Sequence, residues 1–379
     1  MAPIIDIHTH MYPPSYISLL SSRTTIPYIH TPTFPNAPRL IILPTDDDAS
    51  LLPSRRGRPI DSSYSSIDSK LSFMKTHSIA ASVISLANPW LDFLPASTAA
   101  ATARSINDEM EDISAAHPKK IYFFGTLPLS APIPEIVQEI QRLATLPHLK
   151  GIILGTTGLG AGLDDPVLDP LWQAIEKAHL LTFIHPHYGL PTSVFGPLQQ
   201  ASGHILPLAL GFPFETTIAF TRLYLCGVFD RFPDLKVLLA HAGGCVPFLA
   251  GRIESCVLHE RKFRNADGEM REGKGIWEVL RRNVWLDGVV YSDVGVKAAV
   301  GVVGKERVMW GTDHPFFPPL EMEARGDTRD EEGGRIWASV QMNVEGVKGA
   351  FGEDKEGAEG VLGGNAVRLL GLGVENPGG

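Results

Sequence analysis

The sequence predicts an α/β fold, a (β/α)8 barrel of the metal-dependent hydrolase type, and three observations point there. Short apolar, β-branched runs alternate with helical patterns along the chain. Eight such runs can be marked, the number that closes the barrel. Several of them end on a histidine or lead directly to an aspartate.

The candidate strands are Pro3–His8, Ser82–Leu86, Ile121–Gly125, Gly151–Leu154, Thr182–His185, Lys236–His241, Val284–Leu286 and Val308–Gly311. Runs such as IIDIH, GIIL, TFIH and KVLLAH are almost continuously apolar, as strands covered on both faces should be. Helical patterns fill the gaps. Ser97 or Thr98 can cap a helix through Ala116, with Ile106, Met110 and Ile113 at helical spacing. Asp169–Pro170 is a cap and first-turn pair for a helix reaching Ala178, and Pro247–Leu258 and Ala358–Leu370 read as helices too.

Two segments exceed the bare barrel. Residues 11–75 follow strand one, are rich in Pro, Ser and Arg, and carry a helix near Ile67–Thr76. Residues 187–213 follow strand five and hold HYGLPTSVFGP and HILPLALGFP. Both follow strands, so both belong to the C-terminal face, where barrel active sites are built. Residues 323–360 suggest a helix between surface loops, within a helical extension covering 323–379. The whole chain, 1–379, is expected to be one barrel domain with these insertions.

Hydrophobic residues make up 44% and charged residues 20%, enough for a large core under an ordinary soluble surface. The net charge of −9, with no clustered Lys and Arg, argues against a nucleic-acid partner. A small anionic substrate remains compatible if a few arginines sit inside a pocket. The three cysteines form no CxxC and read as reduced thiols. The opening MAPIIDIHTH enters a strand at once, and no stretch is apolar enough for a membrane span. A cytoplasmic enzyme is the expectation.

The chemistry gathers at strand ends. In a strand, residues i and i+2 share a face, so His8 and His10 can meet one ion at the barrel mouth. His185 ends strand five, His241 ends strand six, and Asp313 follows strand eight in GTDHPFFPP. In a barrel these ends converge, and a histidine-rich set with one carboxylate suits zinc or another divalent transition metal. The other polar residues have blander readings. Arg58 can be a solvated loop arginine, Arg252 a helix-surface charge, and Asn88, before Pro89, a turn former. His187 and His314 read as loop-orienting, and His204 as structural. The run GTTGLGAG lacks the spacing of a dinucleotide loop and reads as a Gly-rich loop near the site.

The order HxH, His, His, Asp resembles the amidohydrolase superfamily over nearly the whole chain. Two-metal members of that superfamily carry a bridging lysine at the end of strand four. Here Gly155-Thr156-Thr157 stands there, and Lys150 is at the other end of the strand, so the resemblance implies one ion. Within the superfamily the chain resembles the aminocarboxymuconate-semialdehyde decarboxylase-like family. DIHTHMYPPSY, SLANPW, HPHYGLP, LPLALGFPFETT, LAHAGG, FLAGRIES and GTDHPFFPP carry the likeness, across residues 6 to 319.

That resemblance implies a carboxy-lyase with His8, His10, His185 and Asp313 on one divalent ion, zinc by expectation. It places His241 beside the ion as an acid–base group. Arg58, Asn88 and Arg252 would contact substrate, Arg252 from a neighbouring subunit, which implies a homodimer or higher even homo-oligomer. Phe212 and Phe316 would flank the substrate ring. The likeness is strongest to members that act on a carboxylated pyrimidine, implying conversion of 5-carboxyuracil to uracil and CO2. A hydroxybenzoate or muconate-type acid, or a mononuclear hydrolase reaction, is the alternative. Asp313 and His241 both stand as proton donors.

Overall fold

The computed structural model describes residues 3–32, 37–43, 46–47, 52, 56–197, 199–263, 273–319 and 336–374. Eight strands form one parallel sheet in sequential order: β1 (Ile4–His10), β2 (Ile79–Ser85), β3 (Ile121–Gly125), β4 (Leu149–Gly155), β5 (Leu181–His185), β6 (Lys236–Leu239), β7 (Val284–Asp287) and β8 (Val308–Met309). The sheet curls until β8 meets β1. Closure is made by backbone hydrogen bonds from Ile7 N to Trp310 O (3.2 Å), from Asp313 N to His8 O (2.7 Å) and from His10 N to His314 O (2.7 Å). The result is the expected (β/α)8 barrel. Ile5, Ile7, Val83, Phe123, Ile152, Phe183 and Leu238 are fully buried in the strands, which accounts for their near-continuous apolar reading.

Strand bounds differ from expectation where the chemistry lies. β1 runs on to His10, while β6 stops at Leu239 and β8 at Met309. Beyond those two ends the backbone turns left-handed at His241 (φ 55°), Ala242 (φ 54°) and Asp313 (φ 59°), which a ladder cannot tolerate. Such strain in non-glycine residues gathers at functional sites.

Helix α1 (Ile67–Thr76) sits where predicted, with Ser66 Oγ accepting from Ser69 N at 3.2 Å. Helix α2 (Ala96–Ala116) begins earlier than its expected cap. Pro95 occupies that position and gives no side-chain cap, so Ser97 and Thr98 lie inside the first turn. In α3 (Asp169–Lys177), Asp169 is the first helical residue rather than the cap. Asp165 instead caps the short turn Pro166–Leu168, and Asp169 pairs with Arg231 at 2.9 Å. Helices α4 (Phe212–Leu225) and α5 (Val246–His259) follow β5 and β6, and α6 (Ala338–Phe351) is the helix expected within 323–360. Residues 323–335 and 375–379 of the expected extension lie outside the described residues.

The helix expected over Ala358–Leu370 is present and begins earlier, at Lys355, with a wider π turn at Gly360–Gly364 between Lys355–Glu359 and Asn365–Leu370. Gly363 lies against the Pro3 carbonyl, where a Cβ would come within 1.9 Å, so close approach sets the geometry there. Within the 11–75 excursion, Tyr28–His30, Arg39–Ile41 and Arg58–Pro59 form a small antiparallel sheet that the sequence did not suggest. No described helix is long and apolar enough to cross a membrane.

Candidate active site

His8 and His10 leave β1 on the same face, His185 ends β5, and Asp313 lies in the left-handed turn after β8. Ligand atoms from these four buried residues lie within 4.8 Å of one another. Ring centroids of His8, His10 and His185 are 5.0 to 5.1 Å apart, and Asp313 Oδ1 is 3.4 Å from His8 Nε2 and 3.3 Å from His10 Nε2.

The far nitrogens fix the roles of the near ones. His8 Nδ1 is 2.6 Å from Asp287 Oδ2, a carboxylate that accepts its proton. Ser85 Oγ, which donates to the Thr9 carbonyl, accepts from His10 Nδ1 at 3.1 Å. His185 Nδ1 donates to the Pro186 carbonyl at 2.8 Å. Each Nδ1 carries a proton, so Nε2 of His10 and His185 presents a lone pair inward, and Nε2 of His8 does so once an ion displaces its second proton. All three Nε2 atoms, and Asp313 Oδ1, are buried without a hydrogen-bond partner. Burying four such atoms is costly unless something fills the space between them. Three imidazole lone pairs and one carboxylate are a fitting donor set for one divalent ion.

Electrostatics agree. Burial pulls His8 down, but the carboxylates of Asp287 and Asp313 outweigh it and raise its pKa to about 10. Burial lowers His10 to about 4 and, with the charges of His8 and His10, takes His185 well below its ordinary value. Burial pushes Asp313 up, yet the His8 charge and the close His10 and His241 nitrogens prevail and hold its carboxyl ionised. Between pH 4 and pH 10 the only ligand proton an incoming ion displaces is therefore the one on His8. Titrating metal-free protein with a divalent ion in weakly buffered solution is expected to release about one proton per ion. Affinity is expected to rise with pH through that window.

Asp287 is the residue sequence reading missed. It ends β7 and is fully buried, and besides His8 its oxygens accept from the backbone N–H groups of His241 (2.9 Å), Ala242 (2.9 Å) and Val289 (3.1 Å). One carboxylate thus orients a ligand histidine and the turn that aims His241. Its signal was available: WLDG ends a strand, as TFIH does. Glu215 on α4 was missed too. It is buried, accepts from His187 N (3.0 Å), Gly189 N (2.7 Å) and Thr156 Oγ1, and so ties the end of β4 to the loop after β5.

The other predicted residues separate into two groups. His241 stands at the mouth, its ring 5.1 Å from His8 and 5.2 Å from His185, with Nε2 3.6 Å from Asp313 Oδ2. The Phe212 ring is 6.4 Å from His241, and the Phe316 ring meets His10 edge-on at 5.6 Å. The Arg58 guanidinium lies 5.7 Å from the Phe316 ring centre. Asn88 is buried, its Nδ2 donating to the His187 carbonyl at 2.5 Å. Arg252 stands apart, exposed on α5. His187 does orient its loop, with Nδ1 3.0 Å from the Thr157 carbonyl, whereas His204 is exposed. Lys150 lies near the start of β4, over the Tyr122 ring at 4.8 Å, remote from the donors.

A barrel mouth holding three histidines and an aspartate around one point defines a metal-site (β/α)8 enzyme. The amidohydrolase family model matches residues 5–372. The chain is 31% identical over 270 residues to the 2-amino-3-carboxymuconate-6-semialdehyde decarboxylase of Dictyostelium discoideum, covering 71% of this chain and 66% of that one. It is 26% identical over 258 residues to a γ-resorcylate decarboxylase of Rhizobium radiobacter, covering 66% and 76%. The crystal structure of IDCase, the isoorotate decarboxylase of Metarhizium anisopliae, superposes with a TM-score of 0.90 at 49% identity, covering 98% of this chain and 97% of that one. The chain belongs to the amidohydrolase family, among its aminocarboxymuconate-semialdehyde decarboxylase-like members. It is a carboxy-lyase, a non-oxidative, metal-dependent decarboxylase.

Proposed function

We propose that this enzyme decarboxylates 5-carboxyuracil (isoorotate) to uracil, with one zinc ion held by His8, His10, His185 and Asp313. The observation that carries the substrate reading is the orientation of Asn88. Its Nδ2 is committed to the His187 carbonyl, which can only accept, so its Oδ1 is left as an acceptor. An acceptor there suits a ring N–H, which a pyrimidine offers at N1 or N3, where a hydroxybenzoate offers only a phenolic O–H. The 49% identity to the Metarhizium IDCase supports the same reading.

The bound ion supplies Lewis-acid charge that anchors the substrate carboxylate. The chain's own residues do the rest. Arg58 supplies a positive charge for the anionic substrate, and Phe212 and Phe316 sandwich the ring. Direct loss of CO2 from an sp2 carbon would leave a carbanion with no resonance sink, so C5 must be protonated first. The N1 lone pair makes C5 the basic ring carbon. His241, beside the site and held by Asp287 through its backbone, delivers the proton to C5. The C5–carboxylate bond then breaks, its electron pair restores ring conjugation, and CO2 departs. Asp313 stays ionised and is the poorer donor.

The test is a comparison of 5-carboxyuracil with its N1-methyl and N3-methyl derivatives. One methylation should lower kcat/KM by about a hundredfold or more, since a buried acceptor left unpaired discriminates strongly. Equal turnover of all three would exclude the Asn88 role.

Arg252 completes the site from a second copy. It lies one helical turn from Phe248, which is 89% exposed, and Phe214 and Ile218 on α4 are exposed as well. An exposed apolar face of this kind suits an isologous dimer. Arg252→Ala is expected to lower kcat/KM at least about tenfold with ion content unchanged, the loss expected for a charged contact. Light scattering showing a fully active monomer would refute the shared site.

A further inference from the structure

Among the described residues the mechanism leaves one fully buried lysine unused. Lys70 lies on α1, in the excursion after β1, and has no solvent exposure. Its Nζ donates to Thr9 Oγ1 at 2.7 Å and to His314 Nδ1 at 2.6 Å. Thr9 alternates with His8 and His10 on β1, so its side chain leaves the strand on the opposite face, towards α1. His314 follows Asp313. One ammonium group therefore grips the residue between two of the donors and the residue next to a third.

The grip falls on the seam that closes the barrel. β8 is only two residues long, and beyond it backbone hydrogen bonds from Ile7, His10, Thr312 and Asp313 carry the seam with β1 past Thr9 and His314. Side chains reinforce it. Thr9 Oγ1 donates to the His314 carbonyl at 3.2 Å, His314 N to Thr312 Oγ1 at 3.1 Å, and Thr312 N and Oγ1 to the two oxygens of Asp6 at 3.0 and 2.7 Å. Asp6 is the buried acid of this network, and its charge favours the protonated form of Lys70 against burial, which lowers the Lys70 pKa. The Phe73 ring, one turn along α1, lies 3.9 Å from the His314 ring and holds that side chain against the seam.

We infer that Lys70 is a positioning residue for the metal centre, holding the His8–His10 strand end and the Asp313 turn at the separation one ion requires. The inference rests on the metal-site reading above. It gives the excursion helix a task at the site without contact with substrate or ion. A lysine within an excursion, rather than one at a strand end, then sets how tightly the ion is held.

The test uses cobalt as the probe, added to metal-stripped full-length protein. Wild type should take up one Co2+ per chain with a defined visible spectrum. Lys70→Met should shift that spectrum and speed cobalt loss to a chelator at least about tenfold, the scale seen when the support of metal ligands is removed. It should also lower kcat more than it changes KM. Asp6→Asn/Lys70→Met, which strands no buried charge, should fold and show the same shift. Met74→Ala, another buried position on α1, controls for stability. It should lower Tm yet keep the wild-type spectrum and release rate. If cobalt-loaded wild type behaves as stated but both Lys70 variants match Met74→Ala, the Lys70 assignment falls alone. If wild type takes up no cobalt, the metal reading falls and this inference with it.

Discussion

Asp313→Asn is expected to lose the ion and at least about a thousandfold in kcat, the combined cost of a lost ligand and a misplaced acid–base neighbour. The reasoning is local. Asp313 Oδ1 is one of four unpartnered donor atoms, and among the described residues its carboxylate is the one anion in that cluster. An amide keeps the shape but removes the charge that balances a divalent ion. His8 Nε2, 3.4 Å from Asp313 Oδ1, would also lose the neighbour that helps raise its pKa. Elemental analysis and steady-state rates on the same preparation check both losses together.

His241→Ala separates the two roles. Its ring borders the donors, but its Nε2 lies 3.6 Å from Asp313 Oδ2 rather than among the converging atoms. Its removal should cost about a hundredfold or more in kcat, the usual scale for a positioned acid–base group, with ion content unchanged. If His241→Ala loses the ion while Asp313→Asn keeps it, ligand and acid have been exchanged. Near-normal rates in both variants would place the proton source elsewhere.

Much of this was legible in the sequence because barrel strands are short, apolar and end in the residues that do chemistry. All eight strands fall where the runs placed them, and His8, His10, His185 and Asp313 meet as their strand-end positions implied. What escaped depends on partners. Asp287 looks like any acid after a strand until His8 and the His241 turn are folded onto it. Lys70 reads as the polar face of a helix, since nothing local says that face turns inward. The helix starts were misplaced where Pro95 and Leu168 took the cap positions that Ser97, Thr98 and Asp169 could equally have filled. Gly363 faces a carbonyl more than 350 residues away in sequence that leaves no room for a Cβ, which no local pattern records.

Turnover of 5-carboxyuracil by ion-replete enzyme in heavy water tests the central claim most directly. The account predicts CO2 and uracil in equal amounts, with one deuterium at C5 and no reaction after the ion is stripped. Release of CO2 from hydroxybenzoates but not from 5-carboxyuracil, or undiminished turnover without the ion, would contradict it.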